Sequence, residues 1–453
     1  MNPVPPLFVL LAAGKGTRMN SSLPKVLHKI AGRSMLGHVL TTASEFYGGA
    51  MAVVVGPQME AVADETVCIA PTAKIFVQQA QHGTAHAVLA ARSALDAHEG
   101  DVIVLYADTP LVRRETLTLL RKVLDAGAGI AVLGFRPKNP TGYGRLLTDG
   151  KGALQAIREE KDATDVERQI GLCNSGVLAF RIPKISSLLS RIGNANAKGE
   201  FYLTDVVGIA RDAGLQAAVI ECDESEVLGI NSRDQLADAE AIWQSRARLA
   251  LMRNGVTMVA PETVWLSCDT KIAADVRIEP NVIFGPGVTV EEGASILGFC
   301  HLEGATIGKG ARVGPFARFR PGVQIGPKAH VGNFVELKNV VLGAGAKANH
   351  LSYLGDGSVG ANANIGAGTI FCNYDGYSKQ RTEVGEGAFV GSNSSLVAPV
   401  KIGAGAYIGS GSVITKDVSS GALALERGRQ EERPGWVEKF RVLMTRRKAA
   451  QKA

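Results

Sequence analysis

Small aliphatic residues recur at every sixth position through the second half of the chain, from Ile272 to about Val418. A period of six matches neither the helical turn nor the two-residue repeat of a strand. It predicts a solenoid in which each hexapeptide forms one short strand and one corner, with the aliphatic side chain pointing inward. Three series keep the spacing: Ile272, Ile278, Phe284, Val290, Ile296 and Leu302; Ile307, Val313, Phe319, Ile325, Val331 and Leu337; Val384, Val390, Leu396, Ile402, Ile408 and Ile414.

Apolar runs and helical patterns alternate through the first half of the chain. The predicted strands are residues 7–13, 52–56, 75–78, 102–106 and 130–135, and the predicted helices are residues 35–45, 85–95 and 114–124. This alternation predicts an α/β domain, Rossmann-like, with a mostly parallel sheet. Ligands on such sheets bind beyond the carboxyl ends of the strands.

The domain boundary is predicted at a long helix, residues 234–253, which Gly255 ends. The composition then changes, because residues 272–418 hold 26 of the 53 glycines. We therefore predict a first domain at 1–231, a linker helix at 232–255, a β-helix at 256–433 and a C-terminal helix with a basic tail at 434–453. Trp436, Phe440 and Leu443 favour a docking helix there, and a membrane-surface helix is the alternative.

Composition and charge limit the class of function. The chain has 453 residues with 49 basic and 43 acidic side chains, a net charge of +6. This mild excess suits an anionic small substrate and does not indicate nucleic acid. Six scattered cysteines without a Cys-x-x-Cys pair favour a reducing cytoplasm over a zinc or redox site. The apolar run 7–13 is too short for a signal peptide or a membrane span, so no membrane insertion is predicted.

A glycine-rich loop directly follows the first predicted strand. Gly14 and Gly16 let backbone N–H groups approach an anion, and Lys15, Arg18 and Lys25 add three positive charges. The loop is neither a dinucleotide fingerprint nor a P-loop. It predicts a phosphate site, and the alternative is a tight turn with solvated charges.

Asp108 lies just past the end of the predicted strand 102–106. A carboxylate there can hold Mg²⁺ against a polyphosphate, because Mg²⁺ favours one or two protein oxygens together with phosphates and water. The alternative is a helix-capping Asp before Thr109-Pro110.

Two cations of the repeat half are eighteen residues apart, each directly after an inward aliphatic residue: Arg320 and Lys338. If three hexapeptides form one coil, these cations stack on adjacent coils. A solenoid has little structural use for stacked like charges, so an anion between them is the functional interpretation. The alternative is two ordinary surface cations.

The six-residue spacing breaks next to these cations. The spacing falls to five between Leu337 and Leu342 and again between Leu354 and Val359, and His350 lies in the irregular segment. His350 is suited to take a proton from an amine, and Glu336 is a candidate to fix its tautomer. A polar insertion at 373–383 is expected to carry binding residues.

The segment LAAGKGTRM at residues 11–19, followed by Leu23-Pro24-Lys25, resembles the signature of the sugar-nucleotide pyrophosphorylases. Together with the hexapeptide half, residues 7 to 430 resemble the bacterial bifunctional enzymes that acetylate glucosamine 1-phosphate and then uridylylate the product. This resemblance implies synthesis of UDP-N-acetylglucosamine, a peptidoglycan and lipopolysaccharide precursor. Its substrates would be glucosamine 1-phosphate, acetyl-CoA, UTP and the intermediate N-acetylglucosamine 1-phosphate, with Mg²⁺ as cofactor.

The resemblance assigns a uridylyl-transfer site in the first half. Lys25 and Arg18 would be catalytic on the nucleotide phosphates, and Asp108 and Asn231 would bind Mg²⁺. The contacts to UTP and the product would come from Leu11, Ala12, Ala13, Gly14, Lys25, Gln78, Gly83, Thr84, Gly144, Glu159, Asn174 and Asn231.

Two positions depart from the family pattern. Ala107 stands where Gly is usual before the metal-binding Asp, and His82 replaces an aliphatic residue before Gly83. Neither change removes a polar group, and Ala107 bears on the backbone geometry around the metal.

The resemblance also assigns the second half to acetyl transfer on a left-handed β-helix that forms a homotrimer, with acetyl-CoA between neighbouring subunits. His350 would be the general base, and Ser392 would help to stabilise the oxyanion. Glucosamine 1-phosphate would be bound by Arg320, Lys338, Tyr353 and Asn364. Acetyl-CoA would be contacted by Ala367, Asn373, Tyr374, Ser392, Ser410 and Arg427, of which Ser410 replaces the usual Ala.

Two other classes of protein compete with this interpretation. One is a single-activity sugar-phosphate nucleotidyltransferase whose β-helix only assembles or regulates subunits, as in ADP-glucose pyrophosphorylase-like proteins. His350, the Arg320/Lys338 pair and the polar insertion argue against it. The other is a non-enzymatic solenoid, which the charged loop and Asp108 argue against.

Overall fold

The structure, a computed structural model, describes residues 4–14, 16–46, 48–150 and 152–451. It contains two compact units. Unit 1 is Met1–Ala250 with Leu266–Cys268, and unit 2 is Leu251–Trp265 with Asp269–Ala453. Lys15, which the sequence suggested as a phosphate-binding cation, lies outside the described residues.

Unit 1 is built on a sheet with the strand order β11-β7-β10-β6-β1-β4-β5, to which the hairpin β8–β9 is added beside β10. The central pairs are parallel, as predicted, whereas β10 runs antiparallel to both β6 and β7. The strands are β1 Leu7–Leu11, β2 Lys29–Ile30, β3 Arg33–Ser34, β4 Ala50–Val55, β5 Lys74–Val77, β6 Val102–Tyr106, β7 Ile130–Phe135, β8 Arg145–Thr148, β9 Leu154–Arg158, β10 Cys173–Phe180 and β11 Ala217–Glu221.

Helices cover both faces of this sheet, because its strands are apolar on both sides and each face packs its own buried cluster. The helices are α1 Met35–Glu45, α2 Glu60–Ile69, α3 Thr84–Ala90, α4 Arg92–Asp96, α5 Arg114–Asp125, α6 Asp165–Arg168, α7 Ile185–Leu189, α8 Val206–Asp212 and α9 Arg233–Arg253. Short 3₁₀ turns span Thr17–Met19, Lys25–Leu27, Glu160–Asp162, Leu203–Asp205 and Glu224–Glu226.

Two predicted elements differ clearly in extent from the observed ones, and one observed hairpin was not predicted. The first strand ends at Leu11, because its next residues turn away into the glycine-rich loop. The helix predicted at 85–95 is interrupted at Ala91 and forms α3 and α4. The hairpin β8–β9 was not predicted, because its strands are short and their buried residues do not alternate with exposed ones.

Unit 2 is a parallel β-helix, as the six-residue period predicted. The inward aliphatic residues after Ile272 are buried, Ile272 is partly buried, and strands pair in parallel with the coil above and below. The strands are β12 Thr257–Met258, β13 Lys271–Ile272, β14 Arg277–Ile278, β15 Ile283–Phe284, β16 Thr289–Val290, β17 Ser295–Ile296, β18 His301–Leu302, β19 Ala305–Ile307, β20 Arg312–Val313, β21 Arg318–Phe319, β22 Val323–Ile325, β23 His330–Asn333, β24 Glu336–Leu342, β25 Lys347–His350, β26 Tyr353–Val359, β27 Asn364–Ile365, β28 Ile370–Cys372, β29 Thr382–Val384, β30 Phe389–Val390, β31 Ser395–Val397, β32 Val400–Ile402, β33 Tyr407–Ile408, β34 Val413–Ile414 and β35 Leu423–Ala424.

The length of a coil changes along unit 2. Arg318 pairs with Glu336, which is one coil of eighteen residues, and Glu336 pairs with Tyr353 after only seventeen. Ile370 then pairs with Ser395, because the insertion after Cys372 lengthens that coil. The two five-residue spacings in the sequence therefore correspond to shortened coils.

The chain ends in α10, Trp436–Ala450, whose apolar side chains are exposed. Trp436 and Phe440 stack on each other with ring centroids 4.9 Å apart. Among the described residues, no helix combines the length and the apolar character that crossing a membrane requires.

Candidate functional sites

The carboxyl ends of β1 and β6 meet at one edge of the unit 1 sheet. Leu11 pairs with Tyr106, and the N–H of Ala107 donates to the Leu11 carbonyl oxygen at 3.0 Å. The glycine-rich loop and Asp108 therefore leave the sheet side by side. A cavity of about 320 Å³ opens there, lined by Leu11, Ala12, Ala13, Gly14, Lys25, Val26, Gln78, Gln81, Gly83, Thr84, Ala87, Tyr106, Asp108 and Glu200.

Lys25 is the charged centre of this cavity. Its Nζ lies 2.5 Å from Oδ2 of Asp108 and 3.0 Å from Oδ1 of Asn231, and the residue is only 7% exposed. Asn231 is far from Lys25 in the sequence. It lies beside Lys25 because its neighbour Ile230 donates its N–H to the Asp108 carbonyl oxygen at 2.9 Å. Gly16 is left-handed (φ 63°), and a Cβ there would lie 2.4 Å from Cβ of Lys25, so the loop needs glycine to pack on the lysine.

The oxygens of Asp108 and Asn231 fit a divalent cation. They converge on one positive charge, the Lys25 ammonium group, and a carboxylate with an amide oxygen is a donor set that Mg²⁺ accepts. Among the described residues, no group of three or more His, Cys, Asp or Glu side chains is placed to hold a metal. A metal here would therefore take its remaining ligands from phosphates and water.

The predicted sugar residues form a second group, in which a Cβ at Gly144 would lie 3.5 Å from Oε1 of Glu159. The Asn174 N–H donates to the Gly144 carbonyl oxygen at 2.8 Å, and Thr204 Oγ1 donates to Glu159 Oε1 at 3.2 Å. Burial raises the pKa of Glu159, against the hydrogen bond from Thr204. Gly144, Glu159 and Asn174 lie outside the cavity lining, as does the exposed Arg18.

Tyr106 lies near both the cavity residues and the predicted sugar residues, and it was not predicted from the sequence. Burial, then the negative charges of Asp108 and Glu159, raise the pKa of its phenol, and Thr84 hydrogen-bonds to the hydroxyl. Its position as the last residue of β6, two before Asp108, was an available signal. Glu200 also lines the cavity, and no local sequence pattern indicated it.

In unit 2, Arg320 and Lys338 follow residues that pair in adjacent coils, Phe319 with Leu337, as the eighteen-residue spacing predicted. Each cation has a carboxylate partner. Nη1 of Arg320 lies 3.2 Å from Oε1 of Glu336, and Nζ of Lys338 lies 3.9 Å from Oδ2 of Asp356. The two positive charges are therefore partly neutralised within the chain.

His350 has a different partner from the one suggested by the sequence. Its Nδ1 lies 2.7 Å from Oδ1 of Asn333, which pairs with His350 in register, whereas Glu336 pairs with Arg320. The suggestion that Glu336 fixes the tautomer is corrected by this geometry. The reason is the shortened coil, which places the residue seventeen positions earlier beside the imidazole.

Tyr353 and Asn373 come together over Gly355. A Cβ at Gly355 would lie 2.4 Å from the Tyr353 hydroxyl oxygen and 2.8 Å from Nδ2 of Asn373. Gly355 is also in register with Lys338. Asp356 holds Asn373 by accepting from its Nδ2 at 2.5 Å, so the insertion is anchored beside the cation.

Most residues predicted to contact acetyl-CoA lie along one edge of the ten-stranded sheet. Each coil donates to the one before it, with Gly368, Asn393 and Gly411 bonding to the carbonyl oxygens of His350, Ala367 and Ser392 at 3.3, 2.7 and 2.8 Å. Arg427 Nη1 donates to the Ser410 carbonyl oxygen at 3.0 Å.

Asn364 lies on a different sheet from the other predicted sugar-phosphate residues, and Tyr374 is exposed. Asn364 belongs to the ten-stranded sheet, in register with Lys347 and Phe389, whereas Tyr353 belongs to the fourteen-stranded sheet. Tyr374 is exposed, and its hydroxyl donates to the Gly376 carbonyl oxygen at 2.6 Å.

Known families match both units. The model of the MobA-like NTP transferase domain matches residues 8–171, and that of the bacterial transferase hexapeptide (six repeats) matches residues 304–339 and 381–416. The parallel coil and this hexapeptide match confirm the predicted fold class, a nucleotidyltransferase α/β domain followed by a left-handed β-helix.

Curated relatives cover nearly the whole chain. "Bifunctional protein GlmU" of Azorhizobium caulinodans is 61% identical over 96% of this chain and 97% of its own, and that of Xanthobacter autotrophicus is 58% identical over 98% of each. The protein of the same name from Nitrobacter hamburgensis is 58% identical over 96% of each chain. A solved UDP-glucose pyrophosphorylase complexed with UDP-glucose covers 54% of this chain at 17% identity and a TM-score of 0.44, which supports no inference.

Proposed function

Because this chain belongs to the GlmU family of bifunctional proteins, we propose a residue-level division of its two transferase activities between its two units. The chain is a bifunctional enzyme of UDP-N-acetylglucosamine synthesis. It acetylates glucosamine 1-phosphate from acetyl-CoA, and it transfers a uridylyl group from UTP to N-acetylglucosamine 1-phosphate with release of pyrophosphate. The single-activity and non-enzymatic alternatives are set aside.

Uridylyl transfer is assigned to the cavity of unit 1. The observation that carries this assignment is that nine predicted residues line one cavity: Leu11, Ala12, Ala13, Gly14, Lys25, Gln78, Gly83, Thr84 and Asp108. The backbone after Leu11 and the ammonium group of Lys25 bind the nucleotide phosphates, and the exposed Arg18 joins them when the nucleotide is bound. Asp108 and Asn231 hold Mg²⁺, which when bound neutralises phosphate charge and aligns the phosphates.

The uridylyl-transfer step needs no protein nucleophile. A phosphate oxygen of N-acetylglucosamine 1-phosphate attacks the α-phosphorus of UTP in line, and pyrophosphate leaves. Gly144, Glu159 and Asn174 position the sugar. Catalysis is mainly orientation together with neutralisation of negative charge by Lys25 and Arg18.

Acetyl transfer is assigned to unit 2. Arg320, Lys338 and Tyr353 bind the sugar phosphate, and His350 takes a proton from the glucosamine amine. The amine then attacks the thioester carbonyl of acetyl-CoA, and CoA leaves. The proximity of Lys338, Tyr353 and Asn373 around Gly355 supports this assignment, because the glycine lets the Tyr353 hydroxyl and the Asn373 amide pack close together next to the residue paired with the cation.

The remaining acetyl-transfer residues are assigned by their position on the coils. Ser392 assists the oxyanion, while Ala367, Asn373, Tyr374, Ser410 and Arg427 contact acetyl-CoA. Ala367, Ser392 and Ser410 occupy equivalent positions on successive coils, and Arg427 reaches the Ser410 carbonyl oxygen, which supports a single elongated ligand along that edge.

The active assembly is a homotrimer. Asn364 and Tyr353 belong to different sheets of the β-helix, so a neighbouring copy that brings Asn364 to the sugar would complete the site. The enzyme works in the cytoplasm, which the six free cysteines among the described residues support. There it supplies precursor for peptidoglycan and lipopolysaccharide.

The test separates the two activities in one preparation. The full chain receives glucosamine 1-phosphate, acetyl-CoA, UTP and Mg²⁺, and release of CoA and of pyrophosphate is measured separately. His350→Ala should lose CoA release while it retains pyrophosphate release from N-acetylglucosamine 1-phosphate. Persistence of both activities in that variant would refute the assignment of unit 2.

A further inference from the structure

The amide of Gln78 is held in one orientation by two acceptors. Its Nε2 lies 3.2 Å from the Gly83 carbonyl oxygen and 3.2 Å from Nδ1 of His86. A carbonyl only accepts, so the amide atom beside Gly83 is the nitrogen. Because that nitrogen only donates, Nδ1 of His86 is unprotonated and accepts, and the neutral imidazole carries its proton on Nε2.

Both hydrogens of the amide are used in this arrangement, and Oε1 remains. Gln78 is 4% exposed and lines the unit 1 cavity. Within the described part of the chain, no donor hydrogen-bonds to Oε1 of Gln78. Because Gln78 lines the cavity and its Oε1 has no protein donor, this oxygen is available to accept from a ligand that presents a donor at this point.

We propose that His86 is a positioning residue that selects the nucleotide base through Gln78. This inference rests on the proposed uridylyl transfer in the same cavity. Uracil carries N–H at N3 and donates to Oε1. Cytosine carries a lone pair at N3 and places an acceptor against an acceptor. Turning the amide over to accept cytosine would set its oxygen against the Gly83 carbonyl, and the imidazole of His86 would also have to move its proton from Nε2 to Nδ1.

A purely structural role for His86 predicts different behaviour. The His86 ring also lies edge-on to His82, with centroids 5.3 Å apart and an interplanar angle of 69°. If this packing alone mattered, any change at either ring would lower UTP and CTP turnover together. If His86 instead acts through Gln78, changes at His86 alter the ratio of kcat/KM for UTP to kcat/KM for CTP.

The experiment compares UTP with CTP in the full chain, with N-acetylglucosamine 1-phosphate and Mg²⁺. In His86→Leu one of the two acceptors is lost, and only the Gly83 carbonyl still holds the amide in this orientation. We expect the preference for UTP over CTP, as a ratio of kcat/KM, to fall about tenfold or more, mainly through KM for UTP. In His86→Asn, Oδ1 takes the position of Nδ1, and we expect most of the preference to return.

His82→Leu is the matched control, because it removes the neighbouring ring and leaves the contact between Gln78 and His86. The rate of acetyl transfer by the same preparations measures how much of the enzyme is folded. An unchanged ratio in His86→Leu overturns the proposal, and so does an equal loss in His86→Asn or in His82→Leu. A wild-type chain that released no pyrophosphate from UTP would instead refute the proposed uridylyl transfer itself.

Discussion

The ammonium nitrogen of Lys25 lies 2.5 Å from a carboxylate oxygen of Asp108, although 83 positions separate the two residues in the chain. Lys25 is nearly buried, so the pair is shielded from solvent and its partners are constrained in position. Nucleotide phosphates that enter the cavity would compete with Asp108 for the ammonium group. The carboxylate would then be available to a divalent cation.

Asp108→Asn is expected to lower uridylyl transfer about a hundredfold or more, because it removes the charged metal ligand. Binding of Mn²⁺ in the presence of UTP, followed by electron paramagnetic resonance, should weaken in parallel. Acetyl transfer should be unaffected. Asp64→Asn, at an exposed carboxylate of α2, is the control. A simultaneous loss of acetylation would mean that the change disturbs folding.

Asn333→Ala is expected to reduce kcat of acetyl transfer about tenfold with little change in KM, because Asn333 is the side chain that contacts Nδ1 of His350. Glu336→Gln should leave kcat nearly unchanged and alter KM for glucosamine 1-phosphate through Arg320. Steady-state kinetics of both variants show whether Asn333 or Glu336 is the partner of the His350 imidazole. The reverse pattern would restore Glu336 as the partner of the imidazole.

Lys338→Met is expected to raise KM for glucosamine 1-phosphate about tenfold and to leave KM for acetyl-CoA unchanged, since a cation that binds phosphate acts on one substrate. Lys309→Met is the matched control, because Lys309 is an exposed cation of the same β-helix paired with Glu292. Equal effects on both substrates would indicate a general change of the coil.

Gly355→Ala is expected to raise KM for glucosamine 1-phosphate severalfold, because the new methyl group would displace the Tyr353 hydroxyl. Tyr353→Phe should have a similar effect on this KM. The double variant should be little worse than either single variant, since both act on one hydroxyl. Fully additive effects would show that Gly355 and Tyr353 act independently.

Glu226→Gln is expected to destabilise the chain by about 1–3 kcal/mol, because a buried carboxylate loses its charged bonds. Glu226 is 2% exposed and accepts from Arg113 and from Thr116 Oγ1. The comparison is Glu221→Gln at the exposed pair with Arg136, expected to change stability by less than about 1 kcal/mol. The temperature at which uridylyl transfer is lost measures the stability of both variants. Loss at the same temperature in Glu226→Gln and Glu221→Gln would contradict the prediction.

Local patterns in the sequence were sufficient for the architecture. The six-residue period specifies which side chains point inward, and a coil repeats only neighbouring contacts, so Phe319 and Leu337 could be paired from spacing alone. Likewise an apolar strand that runs into a glycine-rich loop is a local signal, and it located the edge of the sheet where the cavity opens.

The tertiary structure decided which polar groups meet. Asn231 reaches Lys25 across 206 positions, and Gln78 is oriented by a histidine on the next helix, contacts that no periodicity encodes. Even in the repeat, a coil shortened by one residue moved the partner of His350 from Glu336 to Asn333. Burial patterns repeat along a chain and can be read from it, whereas a hydrogen bond depends on positions within a few tenths of an ångström, which only the folded chain sets.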